Sequence, residues 1–205
     1  FVTYEAKEFD RPRTVRADNQ LNAGDLTPEL AQYLNTVTVP FNQDLWFGKL
    51  TWQAGENHLI ELSTKQREES EITDIGNGPN SESFGKTNNN ESSRYDLRWQ
   101  FSSADWLNDM HLTYEDDTFN PRAINLVNGQ QIVGWSQGPT ATRGGVFLNL
   151  GGGADYQDKG QKGWGFQNDL TFTGWDRHTI KVGVKYKDVE LNAFEQQPYN
   201  PQFRY

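Results

Sequence analysis

The sequence predicts an all-β fold: an antiparallel transmembrane β-barrel, present as roughly seven strands of its wall, with long loops on one side. Three observations predict it. Apolar and polar residues alternate with period two over most of the chain, the pattern of half-buried strands. Short turns and long polar connections take turns along the sequence, the asymmetry of a membrane barrel. The 205 residues are only 34% hydrophobic and carry a net charge of -9, yet 13% are aromatic. That is too little apolar material for a packed core of this length, but enough for one apolar face.

The elements follow in order. Phe1-Val-Thr-Tyr-Glu-Ala-Lys7 reads as a first strand. It opens without an initiator Met or signal peptide, and Asn200–Tyr205 reads as loop, so the chain is expected to be a segment of a longer one. Helical pattern is confined to 27–34, where Thr27 caps and Pro28 takes the first turn. Residues 45–53 and 57–65 form a hairpin around the turn 54–56. Tyr95, Leu97, Trp99 and Phe101 alternate with Arg94, Asp96, Arg98 and Gln100, and a turn at 102–105 leads to 109–115. The last hairpin joins 164–173 to 179–186 through 174–176. Charge complementarity across the ladder suggests the registers Lys49 with Glu61, Arg98 with Asp109, and Asp169 with Lys181. Long polar loops are expected at about 8–40, 66–92, 116–160 and from 188 onward. Within them, Asn- and Ser-rich 76–93 reads as mobile loop, and Asn128-Gly129 predicts a tight hairpin between 124–127 and 130–133.

Two further patterns agree with a membrane. Trp52, Trp106 and Trp175 sit beside short turns, whereas Trp46, Tyr95, Tyr114, Trp164 and Tyr186 mark the opposite strand ends. Amphipathic rings at both ends of a strand resemble interfacial girdles. Strands of about ten residues suffice to cross the hydrocarbon at a tilt. If 1–7 runs outward, alternation makes 178–187 run outward too.

Composition excludes other classes. Absence of Cys removes disulfide frameworks and thiolate metal sites. No stretch approaches the ~20 apolar residues of a spanning helix. An acidic balance argues against nucleic acid as partner. No enzyme is indicated: His58 and His178 begin strands beside turns, and His111, near Asp109 and Asp96, sits on a polar face that carries such pairs routinely. Asp116 and Asp117 beside Glu115 offer hard oxygen ligands for calcium, but successive acidic residues are ordinarily solvated, and no metal or cofactor is assigned. Gly151-Gly-Gly153 and Arg143-Gly-Gly145 lack the Lys-Ser/Thr ending of a phosphate loop and read as bends. Asp116, Asp117, Arg122 and Trp135 lie in the longest outward stretch and are the expected substrate-contacting residues.

The run Phe172-Thr-Gly-Trp-Asp-Arg-His-Thr-Ile-Lys-Val-Gly-Val-Lys185, with Ala193-Phe-Glu-Gln-Gln-Pro-Tyr-Asn-Pro-Gln-Phe203 after it, resembles the barrel of TonB-dependent outer-membrane receptors, and the Oar-like branch in particular. Glu115-Asp-Asp-Thr-Phe-Asn-Pro121 fits the same pattern. The resemblance implies a barrel of about twenty-two strands around a plug, the plug and remaining strands lying outside this chain. It implies energised uptake through a TonB-type coupling complex acting on that plug, outer-membrane lipid as surroundings, and an extracellular substrate. Oar-like members are associated with peptide or protein substrates, the wider family with iron chelates, cobalamin and saccharides. Two other functions fit the alternation: a soluble β-sandwich that binds carbohydrate, and a passive outer-membrane porin.

Overall fold

The computed structural model describes residues 1–17, 27–76, 78–135 and 143–205. Among the described residues ten strands, one short α-helix and a 3-10 turn at Glu82–Phe84 form: β1 (Val2–Thr14), α1 (Pro28–Ala31), β2 (Thr36–Gln53), β3 (His58–Thr73), β4 (Lys86–Ser102), β5 (Trp106–Ala123), β6 (Gly129–Trp135), β7 (Arg143–Gly151), β8 (Tyr156–Trp175), β9 (His178–Gln196) and β10 (Gln202–Arg204). Seven of them make one antiparallel sheet in the order β1-β2-β3-β4-β5-β8-β9, and the other three a small sheet in the order β10-β6-β7. All seven expected strands are present in the large sheet, and the three short turns fall between β2 and β3, β4 and β5, and β8 and β9. β1 and β9 are its edges, so the sheet is open within the described residues.

The strands are longer than alternation alone foretells. β8 has 20 residues and β9 has 19, so much of the stretches expected as loops at 8–40, 66–92, 116–160 and beyond 188 is strand. The Asn-rich segment is likewise ordered: Asn88 and Asn90 lie in β4, with Asn88 buried. No hairpin turns at Asn128-Gly129. β6 begins at Gly129 and pairs with β7, and β10 adds to it in parallel. Gly129 packs against the Gln202 side chain, and the Gly129 N–H donates to Pro201 O, so the dipeptide enters a three-stranded sheet instead of reversing the chain.

Registers differ from the expected ones by two residues in every hairpin. Lys49 stands opposite Ser63, Arg98 opposite His111, and Asp169 opposite Gly183. A shift of two keeps every side chain on its face. Two of the three charge pairs survive as diagonals: Lys49 Nζ lies 2.6 Å from Glu61 Oε1, and Arg98 Nη2 lies 2.7 Å from Asp109 Oδ2.

The two faces of the large sheet differ in kind. One row across six strands reads Leu50, Leu62, Leu97, Leu112, Phe166 and Tyr186. The row toward the short turns holds Trp52, Ile60, Trp99, Met110, Asn168 and Val184. None of the described residues covers this face: Leu50 is 69% exposed and Val182 65%. Meanwhile the Glu61 and Asp96 side chains on the opposite face are 15% and 21% exposed. The usual rule for a protein in water, apolar in and charged out, is inverted.

A buried apolar cluster does exist, but at the end of the sheet away from the short turns. Phe147, Leu148 and Leu150 of β7 pack on Val15, Val39 and Ile75 at the ends of β1, β2 and β3. The small sheet therefore caps one end of the large one and packs on neither of its faces. Asn200 fastens the cap: its side chain is buried and Nδ2 donates to Asn125 O at 2.9 Å and Gly153 O at 2.8 Å. Asn200→Ala leaves two carbonyls without a donor, so we expect a loss of about 1–3 kcal/mol in the cap. It is read as faster amide exchange at 129–133 with the large sheet unchanged.

Candidate functional site

The polar face of the large sheet carries the chemistry. Alternation sends every second residue of β2, β3, β4, β5, β8 and β9 to this side, and the shared register aligns them in rows. Charged side chains there form a connected series across the strands. Lys49 pairs with Glu61, Glu61 with Arg98 at 3.3 Å, and Arg98 grips Asp109 with Nε and Nη2 at 2.8 and 2.7 Å. His111 follows, its Nε2 3.2 Å from Asp109 and its Nδ1 3.9 Å from Asp96. Thr113 Oγ1 donates to Asp96 at 2.9 Å. Arg94 then joins Asp96 at 2.8 Å to Glu115 at 3.0 Å, and Lys187 reaches Glu115 at 3.1 Å. Each carboxylate of this series has a cationic neighbour.

A notch of about 310 Å³ opens beside this series between β5, β8 and β9. Gly165, Thr113, Arg94, His111, Lys185 and Lys187 are among the residues that line it. Sequence reading did not single out Gly165, Lys185 or Lys187. The signal that locates them is the alternation itself, which puts Gly163 and Gly165 on the polar face of β8 beside the lysines of β9.

Toward the cap the polar face continues with a second cluster. Burial raises the Glu69 carboxyl, but hydrogen bonds from Arg67, Asn90 at 3.0 Å and Gln43 at 2.9 Å outweigh it and hold the group below the usual glutamate value. A depressed carboxyl stabilises the fold above its unfolded value of 4.5 and loses that contribution as pH falls below it. We expect amide exchange in 67–71 and 88–92 to accelerate below about pH 4 and to stay unchanged between pH 6 and 8.

The four residues expected to meet a substrate do not come together as a loop. Asp116, Asp117 and Arg122 lie in β5. Asp116 faces the side of the apolar rows, where Tyr114 Oη donates to it at 3.3 Å. Asp117 faces the polar side and accepts from Gln161 at 3.4 Å. Arg122 is exposed near the cap with its guanidinium 5.0 Å from the Tyr156 ring centre. Trp135 ends β6 opposite Arg143, and its side chain lies outside the described residues. The strand that carries Glu115, Asp116 and Asp117 also separates them, because consecutive side chains point to opposite faces. Among the described residues no cluster of His, Asp and Glu is arranged to hold a metal ion.

His111 does meet Asp109 as alternation foretells, but the neighbouring hydroxyl, Thr113, donates to Asp96 and is not aimed at the imidazole. His58 lies tilted against Phe101, ring centres 5.0 Å apart, and accepts from Trp99 Nε1 at 3.2 Å. Gly134-Trp-Ser-Gln-Gly138 has the Gly-x-Ser-x-Gly spacing of a nucleophile elbow. That motif requires a strand running into a helix, and the next described element after β6 is its antiparallel partner β7. Ser136 itself lies outside the described residues.

Comparison of the chain with protein-family models, with curated proteins and with solved structures finds no match to any of them.

Proposed function

We propose that this sheet is part of the wall of an outer-membrane barrel, with the apolar face on lipid and the charged face lining a lumen. One observation carries the reading: a seven-stranded sheet whose apolar rows none of the described residues cover. A sheet in water must bury its apolar face against a second layer. Among the described residues the only candidate layer, β10-β6-β7, packs on the end. A carbohydrate-binding sandwich has no support in that arrangement, since it requires Val182 and its row to be buried.

The dimensions agree. A row with Tyr95, Tyr114 and Trp164 bounds the apolar rows on one side, and a row with Trp106 and Phe172 on the other. From Trp106 to Tyr114, β5 climbs about 27 Å at ~3.4 Å per residue. Tilt reduces this to about 20 Å, near the ~25 Å apolar band of membrane barrels. Beyond Tyr114 the outward face turns polar with Asp116, Thr118 and Asn120. The end bearing the cap faces the exterior, where long connections belong.

Within that wall the best functional reading is a receptor of the TonB-dependent type taking up a large solute, with a plug and coupling complex supplied from outside these residues. The resemblance of 172–185 and 193–203 supports it over a passive porin. Asp117, on the lumen face above the aromatic row, is the one of the four substrate candidates best placed to meet a solute.

The chain lacks Cys, so single cysteines report cleanly. In lipid vesicles, spin labels at Leu97→Cys, Leu112→Cys and Val182→Cys should be relaxed by oxygen. Labels at Arg98→Cys, Thr113→Cys and Lys181→Cys should be relaxed by a water-soluble nickel chelate. A pattern without period two, or one common to both faces, would sink the wall.

A further inference from the structure

Gly165 is a glycine that the backbone does not require. It lies mid-strand in β8, and a Cβ added there would meet only Thr113 Cβ at an ordinary 3.8 Å. Its neighbours on the same face are different. A Cβ at Gly163 would fall 2.2 Å from Asp188 O, and one at Gly183 2.4 Å from Asp169 Oδ1. Glycine in a strand interior costs roughly 0.5–1 kcal/mol against alanine, and without a steric reason it marks a place where something else approaches closely. What Gly165 keeps open is the notch of about 310 Å³.

The charges around the notch are unequal. Arg94 and Lys187 are already shared with Asp96 and Glu115. Lys185 lines the notch without an ion pair among the described residues, next to Gln167, whose amide donates to Asp169. One ammonium thus remains uncompensated in a polar recess, and an ammonium so placed attracts a single negative charge. A phosphate dianion is disfavoured because Asp96 and Glu115 also border the recess. The notch, at about 310 Å³, is larger than a bare inorganic ion fills.

We infer that the notch over Gly165 is a binding subsite for a small hydroxylated monocarboxylate, its carboxylate on Lys185 Nζ and its hydroxyls among Thr113, Gln167 and the backbone. The inference deepens the lumen reading and rests on it, since that reading gives the site access to solutes.

The test uses the full chain in detergent micelles at low salt, titrated with sodium gluconate and followed by NMR. Saturable binding is expected for the parent chain. Lys185→Gln should weaken it about tenfold, the worth of one charge-assisted hydrogen bond. Gly165→Val should abolish it without lowering the urea midpoint, because a β-branched residue favours the strand that it fills. Lys181→Gln, on the same face but outside the notch, should change it less than about twofold. Lys185→Gln removes an exposed side chain and carries the test by itself if Gly165→Val fails to fold. Absence of saturable binding overturns the inference, as does glucose binding as well as gluconate, phosphate binding in its place, or an equal effect of Lys181→Gln. A failure here with the spin-label pattern intact removes the subsite alone, whereas loss of that pattern removes the wall.

Discussion

Replacing Leu62 with arginine is expected to cost the sheet about 1–3 kcal/mol in a lipid bilayer, between the midplane and interface values. Leu62 is 48% exposed in the chain by itself, and in water an arginine at such a position is nearly neutral, within about 0.5 kcal/mol. The two surroundings therefore predict different results from one substitution. Leu62 sits within the apolar band, one row from the Tyr95 row, with Leu50 and Leu97 opposite it. Its Cβ has no lumen side to turn to, so the guanidinium must snorkel along the sheet or drag water into hydrocarbon. Urea titration of the parent and variant in phosphocholine vesicles measures the difference. An unchanged midpoint at constant slope would mean that this face meets water. Ser63→Arg is the matched control: it points to the charged face and should fall within about 1 kcal/mol of the parent.

The second large effect is on the opposite face. Arg98→Ala should destabilise by about 2–3 kcal/mol, because it strips Asp109 of a two-pronged partner and leaves Glu61 with Lys49 alone. Breaking a fully buried pair costs about 3–5 kcal/mol. The smaller figure reflects side chains that are 32% and 27% exposed. Asp109→Ala should cost less, since Arg98 keeps Glu61. The double variant should be less damaged than the two single losses predict together, by about 1 kcal/mol or more, as expected of groups in one network. Additive losses would show that the series is a set of independent surface pairs.

How far the fold was legible follows from where contrast exists between the two faces. Leu97, Trp99 and Phe101 against Asp96, Arg98 and Gln100 mark both the strand and its orientation, and the structure keeps both. Above Tyr114 both faces are polar, with Glu115 and Asp117 on one and Asp116 and Thr118 on the other, so the periodic signal ends although the ladder continues to Ala123. The sequence marks the edge of the apolar band, not the end of the strand. Registers were off by two because cross-strand charge pairs were placed directly opposite, whereas Arg98 and Asp109 meet along a diagonal that long side chains span easily. The small sheet was illegible for another reason. Its core joins Phe147, Leu148 and Leu150 to Val15, Val39 and Ile75 across distant parts of the chain, and β10 reaches β6 from more than seventy residues away. No local pattern encodes such a contact. The notch was hidden because its informative residue, Gly165, is defined by a missing side chain.

The directions of the two edge strands set a rule of symmetry. β1 runs away from the short turns, and so does β9, because five strands with strict antiparallel pairing lie between them. A rotation axis along the strands preserves direction, so a ring of identical copies would bring β9 of one against β1 of the next in parallel. No ring of copies inserted in the same sense closes with an antiparallel ladder. In the proposed barrel its complement is therefore an odd number of strands of different sequence.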